Sequence, residues 1–144
     1  MHSENSDQTE AIGHKIGRQL KGGEVIELIS DLGGGKTTLV RGITAGFGSK
    51  DKVASPTFTI SREYVHGDLK IVHYDFYRLH DPGLMAYELA EAINDPLAIV
   101  IVEWADIVQD VLPKDRLAIT IKTTGENSRD IALHATGAAR RLLE

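Results

Sequence analysis

The chain has no cysteine among its 144 residues. That removes disulfides, a thiolate nucleophile and Cys-ligated zinc from consideration, and it suits a reducing compartment. A metal, if present, has to sit on oxygen or histidine. There is no long apolar run either. The longest, residues 96–102 (PLAIVIV), is far too short to span a bilayer, and the first dozen residues are polar without a signal-peptide core. A cytoplasmic protein with no membrane association is therefore expected. Basic excess is missing too. Against 16 Lys and Arg stand 21 Asp and Glu, for a net charge of -5, which argues against the broad basic surface that binds nucleic acid by releasing counterions. A link to RNA is expected to run through a partner. His73 and His80 lack a third ligand at metal spacing and read as packed or solvated side chains. No repeat, linker or low-complexity tract interrupts the chain. With 42% hydrophobic residues it can bury one core, and it is too short for two ordinary domains, so residues 1–144 are taken as one domain.

What is present alternates between two periodicities. QTEAIGHKIGRQLKGG spaces Ile12, Ile16 and Leu20 one helical turn apart, with Ser6, Asp7 or Thr9 available as caps and Gly22 and Gly23 as a stop. EVIELIS then reads as a short strand, and KTTLVRGITAGFG as a helix whose Leu39, Ile43 and Phe47 recur every fourth residue. TFTISREYV and LKIVHYDFY are strand-like runs joined by His66, Gly67 and Asp68, which predicts an antiparallel hairpin. PGLMAYELAEAI predicts a helix entered through Pro82. LAIVIVEW is apolar on both faces, the pattern of a central, covered strand. RLAITIK and RDIALHA predict two more strands around a polar turn, and GAARRLLE a short closing helix.

Between the first strand and its helix lies ISDLGGGKTTLV. Three successive glycines let backbone N–H groups turn inward, and the helix that starts near Gly35 aims its positive end at the same point. The segment Asp31, Leu32, Gly33, Gly34, Gly35, Lys36, Thr37 and Thr38 therefore reads as a phosphate-binding loop, with Lys36 bridging the outer phosphates of ATP and the Thr37 hydroxyl ligating Mg2+. The alternative is a glycine-rich turn with a solvated lysine. Ser30 departs from the pattern G-x-x-x-x-G-K-[ST], which has glycine there. A small serine is expected to take that place with some backbone strain.

Such a loop needs an acid for the metal. LAIVIVE delivers Glu103 at the C-terminal end of a strand, where ligands gather on α/β sheets. Asp75 is the second candidate. Alternation in IVHYD puts Ile71, His73 and Asp75 on one face, so the two ionisable groups need partners. An ion pair of Asp75 with Arg78 or Arg62 is the bland reading. Trp104, judged by type, suits core or site equally. Ser55, Pro56, Thr57 and Phe58 form either a plain loop into a strand or a segment whose hydroxyls reach a γ-phosphate.

SDLGGGKTTLVRG, SPTFTI, HYDFYRL and VEW, in this order and at these separations, closely resemble the bacterial TsaE family, formerly called YjeE. The resemblance runs from Thr9 to about Arg129. It implies a small P-loop ATPase required for the threonylcarbamoyl modification of adenosine in tRNA, working with TsaD, TsaB and TsaC and docking on the first two. It also implies that Lys36 and Thr37 hold phosphates and magnesium, that Glu103 is a metal ligand, that Asp75 lies near the γ-phosphate, and that Thr9 and Arg129 lie near the nucleoside. Lys36, Asp75 and Glu103 are thus the expected catalytic set. The fold expected is a three-layer α/β P-loop NTPase with a central mixed sheet. From spacing alone the chemistry is phosphoryl transfer to water or a small acceptor. A small-molecule kinase would want an arginine-bearing lid, which no segment supplies, and a GTPase would want N-K-x-D, which is absent. A nucleotide-gated binding module with little turnover is the remaining alternative.

Overall fold

Strands that carry apolar side chains toward both faces have to be covered on both, and the chain does this with one sheet between two helical layers. The structure, a computed structural model, describes residues 1–30, 35–54, 61–77 and 79–144. Among them, β1 (His2–Ser3), β2 (Val25–Ser30), β3 (Ser61–His66), β4 (Leu69–Asp75), β5 (Ala98–Glu103), β6 (Leu117–Thr123) and β7 (Arg129–Ala135) form a sheet in the order β1-β7-β6-β2-β5-β4-β3. β2 runs parallel to β5 and β6, and β4 parallel to β5, whereas β3 with β4, β6 with β7 and β1 with β7 are antiparallel. The sheet is mixed, as expected.

Alternation along β5 sorts the core. Ile99 and Ile101 join Ile26, Leu28 and Ile71 beneath α1 (Ser6–Gly17) and α2 (Lys36–Phe47), where Ile16, Leu39, Val40, Ile43 and Phe47 meet them. Ala98, Val100 and Val102 face the other way, with Val25, Val72 and Tyr74, and are covered by Leu89 of α3 (Leu84–Ile93) and by Val108 of the 3₁₀ helix Ala105–Val108. Every residue of β5 is buried. Truncating a fully enclosed side chain such as Leu39 to alanine costs about 2–5 kcal/mol in sites of this kind.

Local starts and stops differ in places from the sequence reading. The cap of α1 is Asn5, whose backbone is extended and whose side chain accepts from the Gln8 amide at 2.9 Å, so Ser6, Asp7 and Thr9 lie inside the helix. α1 ends at Gly17, and Leu20 packs into the core from beyond it. The hairpin between β3 and β4 turns through Gly67 and Asp68, with Gly67 at φ 60°. The expected strand over residues 57–65 is described from Ser61 only, and residues 55–58, weighed as a phosphate-contacting segment, lie outside the described residues. The closing segment Gly137–Leu143 is a 3₁₀ helix. β1 was not expected, because two residues carry no period. Among the described residues no helix is long and apolar enough to cross a membrane.

Candidate functional site

β2 leads toward α2 through Asp31, Leu32, Gly33 and Gly34, which lie outside the described residues. On the near side Ser30 is the last residue of β2 and stands opposite Ile121 of β6. Among the described residues the only non-glycine with positive φ is Trp104, so Ser30 has ordinary strand backbone and the expected strain at this position is not there. The pleat, rather than a turn, is what the serine has to satisfy. On the far side Gly35 caps α2 in the left-handed region at φ 94°, where glycine alone carries no side-chain cost. A Cβ at Gly35 would stand 3.3 Å from the Arg129 Nε, so the bare backbone also makes room for that side chain.

α2 opens with Lys36, Thr37 and Thr38 and has no acidic side chain in its first turn, so nothing on the helix itself neutralises the positive end of its dipole. Lys36 is buried, and its Nζ lies 4.9 Å from the centre of the Trp104 ring. Thr37 and Thr38 are half-buried. With Ser30, Trp104, Ala105 and Asp106, Lys36 lines a small cleft at this end of the sheet.

The carboxylates arrive from the neighbouring strands. Parallel pairing sets Asp75, the last residue of β4, opposite Glu103, the last of β5, and Glu103 in turn stands opposite Leu28 of β2. β4 and β5 therefore end level with each other and parallel β2 runs two residues further, and ligands of α/β folds collect at such strand ends. Glu103 is buried, and its Oε2 lies 2.5 Å from the Nε2 of His73. The other ring nitrogen of His73 is 3.1 Å from the Tyr64 hydroxyl, which donates to the Ala54 carbonyl at 3.1 Å. Burial pushes the Tyr64 phenol above its ordinary value, so it remains a hydroxyl. Asp75 is half-buried and its Oδ1 accepts from the Tyr77 amide at 3.0 Å. Its carboxyl is pushed up from the ordinary 3.8, first by desolvation and then by the charge of Glu103. The Tyr77 amide, His73 and Lys36 act in the opposite direction. Among the described residues Asp75 makes no ion pair: Arg62 stands opposite His73 on β3, and Arg78 is not described.

Two further residues complete the rim. Trp104 holds φ 56° and ψ 54°, and its ring lies 4.8 Å from that of Tyr77. Backbone of this sort costs a residue other than glycine about 1–3 kcal/mol, and Trp104 also packs against the core cluster on the α3 side of the sheet, so it belongs to core and rim alike. Thr9 lies within α1, buried, with its hydroxyl 2.7 Å from that of Ser3. Ser3 is the strand neighbour of Arg129, so Thr9 and Arg129 are linked through β1. Arg129 also donates to the Ser128 carbonyl at 2.7 Å. The geometry thus brings Gly35, Lys36, Asp75, Glu103 and Arg129 to one end of the sheet and turns the Thr9 hydroxyl toward Ser3. Sequence reasoning missed His73, Tyr64 and Ser3 as partners. The signal for His73 was present, since it shares a strand face with Ile71 and Asp75. Among the described residues no group of three or more His, Asp or Glu is placed to hold a metal by itself.

The family model for the threonylcarbamoyl adenosine biosynthesis protein TsaE matches residues 3–131. The chain belongs to the TsaE family. It is 38% identical over 143 residues to the tRNA threonylcarbamoyladenosine biosynthesis protein TsaE of Bacillus subtilis, covering 96% of this chain and 87% of that one. With the protein of the same name from Streptomyces coelicolor it shares 36% over 132 residues, covering 87% and 86%. The crystal structure of Bacillus subtilis YdiB superimposes with a TM-score of 0.80 at 35% identity, over 99% of this chain and 89% of that one. The span matched to TsaE begins at Ser3 and ends at Ile131, and so takes in Thr9, Lys36, Asp75, Glu103 and Arg129.

Proposed function

We propose that the chain is a magnesium-dependent ATPase serving tRNA threonylcarbamoyladenosine formation, as an accessory subunit that docks on TsaD and TsaB, with TsaC in the same route and tRNA reached only through the complex. The observation that carries this reading is the convergence of Gly35 and Lys36 at the start of α2 with Asp75 and Glu103 at the paired ends of β4 and β5. The names of the relatives supply the process.

The residues present fit the group. Magnesium takes oxygen ligands and is commonly held by one or two carboxylates together with nucleotide phosphates, and here a Thr37 hydroxyl and the Glu103 carboxylate would hold it. When bound, magnesium neutralises phosphate charge. The rest is done by the chain. The amides at the start of α2, with the segment before it, would take the phosphates, and Lys36, which opens α2, would supply the positive charge they need. Asp75, half-exposed at the rim, orients a water or accepts its proton. Arg129, against Gly35, and Thr9 flank the nucleoside side.

The test is calorimetry of ATP with Mg2+ on purified protein. Lys36→Ala deletes the charge that the phosphates need, and its Kd should rise at least ~10-fold, since a hydrogen bond to a charged group is worth about 1.5–3 kcal/mol. Circular dichroism should be unchanged. Equal affinity in parent and variant overturns the loop assignment. Hydrolysis products separate the alternatives, because a kinase passes phosphate to an added acceptor and a gated binding module turns over nothing.

A further inference from the structure

We infer that His73 is the positioning residue for Glu103, a strut that fixes the carboxylate where the cation is received. The inference rests on the reading of Glu103 as a magnesium ligand. His73 is fully enclosed and lies one pleat before Asp75 on β4, opposite Ile101, so its ring reaches along the same sheet face to the side chain two residues further on β5. Nε2 holds Glu103 Oε2 at 2.5 Å, and Nδ1 meets the Tyr64 hydroxyl, itself tied to the Ala54 carbonyl. The imidazole is held at both nitrogens. It cannot rotate without abandoning one of them, and while it stays, it holds Glu103 Oε2 in place. Since a carboxylate offers roughly four lone-pair positions on two oxygens, one bond to His73 orients the group and leaves capacity for a cation. Partners of this kind govern affinity: removing one from a metal ligand typically costs 10–100-fold in metal binding. Asp75, two residues along the same strand, accepts from a backbone amide instead, and no side chain among the described residues acts as such a strut for it.

The two nitrogens allow a test by shape. In His73→Asn the shorter amide sits near the Nδ1 position and keeps a group for Tyr64, but it gives up Glu103. In His73→Gln the longer amide reaches the Nε2 position and can still donate to Glu103. Each protein, saturated with a non-hydrolysable ATP analogue, is titrated with Mg2+ while the fluorescence of Trp104, the sole tryptophan, is followed. Analogue affinity in EDTA and thermal midpoints are measured alongside. The expected result is a rise of about 10-fold or more in the Mg2+ midpoint for His73→Asn, less than about 3-fold for His73→Gln, and unchanged analogue affinity in EDTA for both. Equal midpoints in the two variants, whether shifted or not, would overturn the inference, as would a change confined to thermal stability. Should His73→Asn fail to fold, Tyr64→Phe removes the outer anchor alone, and a midpoint equal to the parent's overturns the strut. Glu103→Gln tests the underlying reading separately. If it leaves the Mg2+ midpoint in place, Glu103 is not the ligand. If it abolishes the response while the His73 variants match the parent, only the strut is lost.

Discussion

Burial strengthens the hold of Asp75 on its proton and the neighbouring Glu103 charge strengthens it further, while Lys36 and the Tyr77 amide weaken it. The folded pKa therefore lies above that of the unfolded chain. The folded state binds the proton more tightly, so this contribution to stability is fully present below the ordinary carboxylate pKa and is lost as pH rises through the folded value. At neutral pH the charged group is a cost to the fold. Asp75→Asn keeps an acceptor for the Tyr77 amide and should unfold at a temperature equal to or above that of the parent at pH 7, with the advantage shrinking toward pH 4. Urea or thermal melts across that range check it, and a clear loss of stability at pH 7 refutes it. At this scale legibility was uneven. Glu103 and Asp75 could be placed because strand ends and alternation are local properties. The His73 contact joins residues 30 positions apart, and only the register of β4 on β5 creates it. Ser30 misled because a motif was compared letter by letter, whereas the backbone there simply continues the pleat.

Helices α1 and α2 lie so close at their glycines that a Cβ would not fit there. A Cβ on Gly17 would come within 2.0 Å of the Ile43 carbonyl oxygen, and one on Gly42 within 2.2 Å of that of Glu10. Alanine ordinarily gains roughly 0.5–1 kcal/mol over glycine inside a helix. Here the obstacle is backbone, which yields less readily than a side chain, and overpacking of about 1–3 kcal/mol should prevail. Gly17→Ala and Gly42→Ala are each expected to destabilise the protein by roughly 1–3 kcal/mol in urea titrations. A stabilised variant would mean that the helices can separate freely. Helix existence was legible from the recurrence of Leu39, Ile43 and Phe47, since a buried stripe follows from the 3.6-residue period. Their contact was not, because glycine spacing inside a helix carries no signal until a second helix is known to lie against it. The cap at Asn5 was missed for a smaller reason, since Ser6, Asp7 and Thr9 are equally good caps by type.

As a whole the molecule presents its site at an open rim. Asp75 is half-buried and Tyr77 is exposed beside Trp104, while Leu84 and Tyr87 of α3 also project into solvent. Lys36 and Glu103 are buried but Asp75 is within reach of bulk water, and in the proposed ATPase such a site is commonly completed by closure. The isolated protein is therefore expected to hydrolyse ATP well below a typical enzyme turnover of about 10 s⁻¹, and addition of TsaD with TsaB should accelerate it. Rapid turnover alone, with no gain from the partners, would refute the accessory role. The layer architecture was legible because strands covered on both faces demand helices on both sides. The strand order was not, since it depends on pairings between distant segments.

That order also decides when the site can exist. β2 precedes the segment proposed to take phosphates, yet its neighbours in the sheet are β5 and β6, as in the pairs Val25 with Val100 and Ile26 with Leu117. A ribosome delivers β2 and α2 long before either flank. Until residues near 121 have left the exit tunnel, β2 has no partner on one side, and contacts between such distant segments form slowly. The part of the sequence easiest to recognise is thus among the last to gain a complete sheet beneath it, and a nascent chain carries the motif for most of its synthesis before the strands that flank β2 exist.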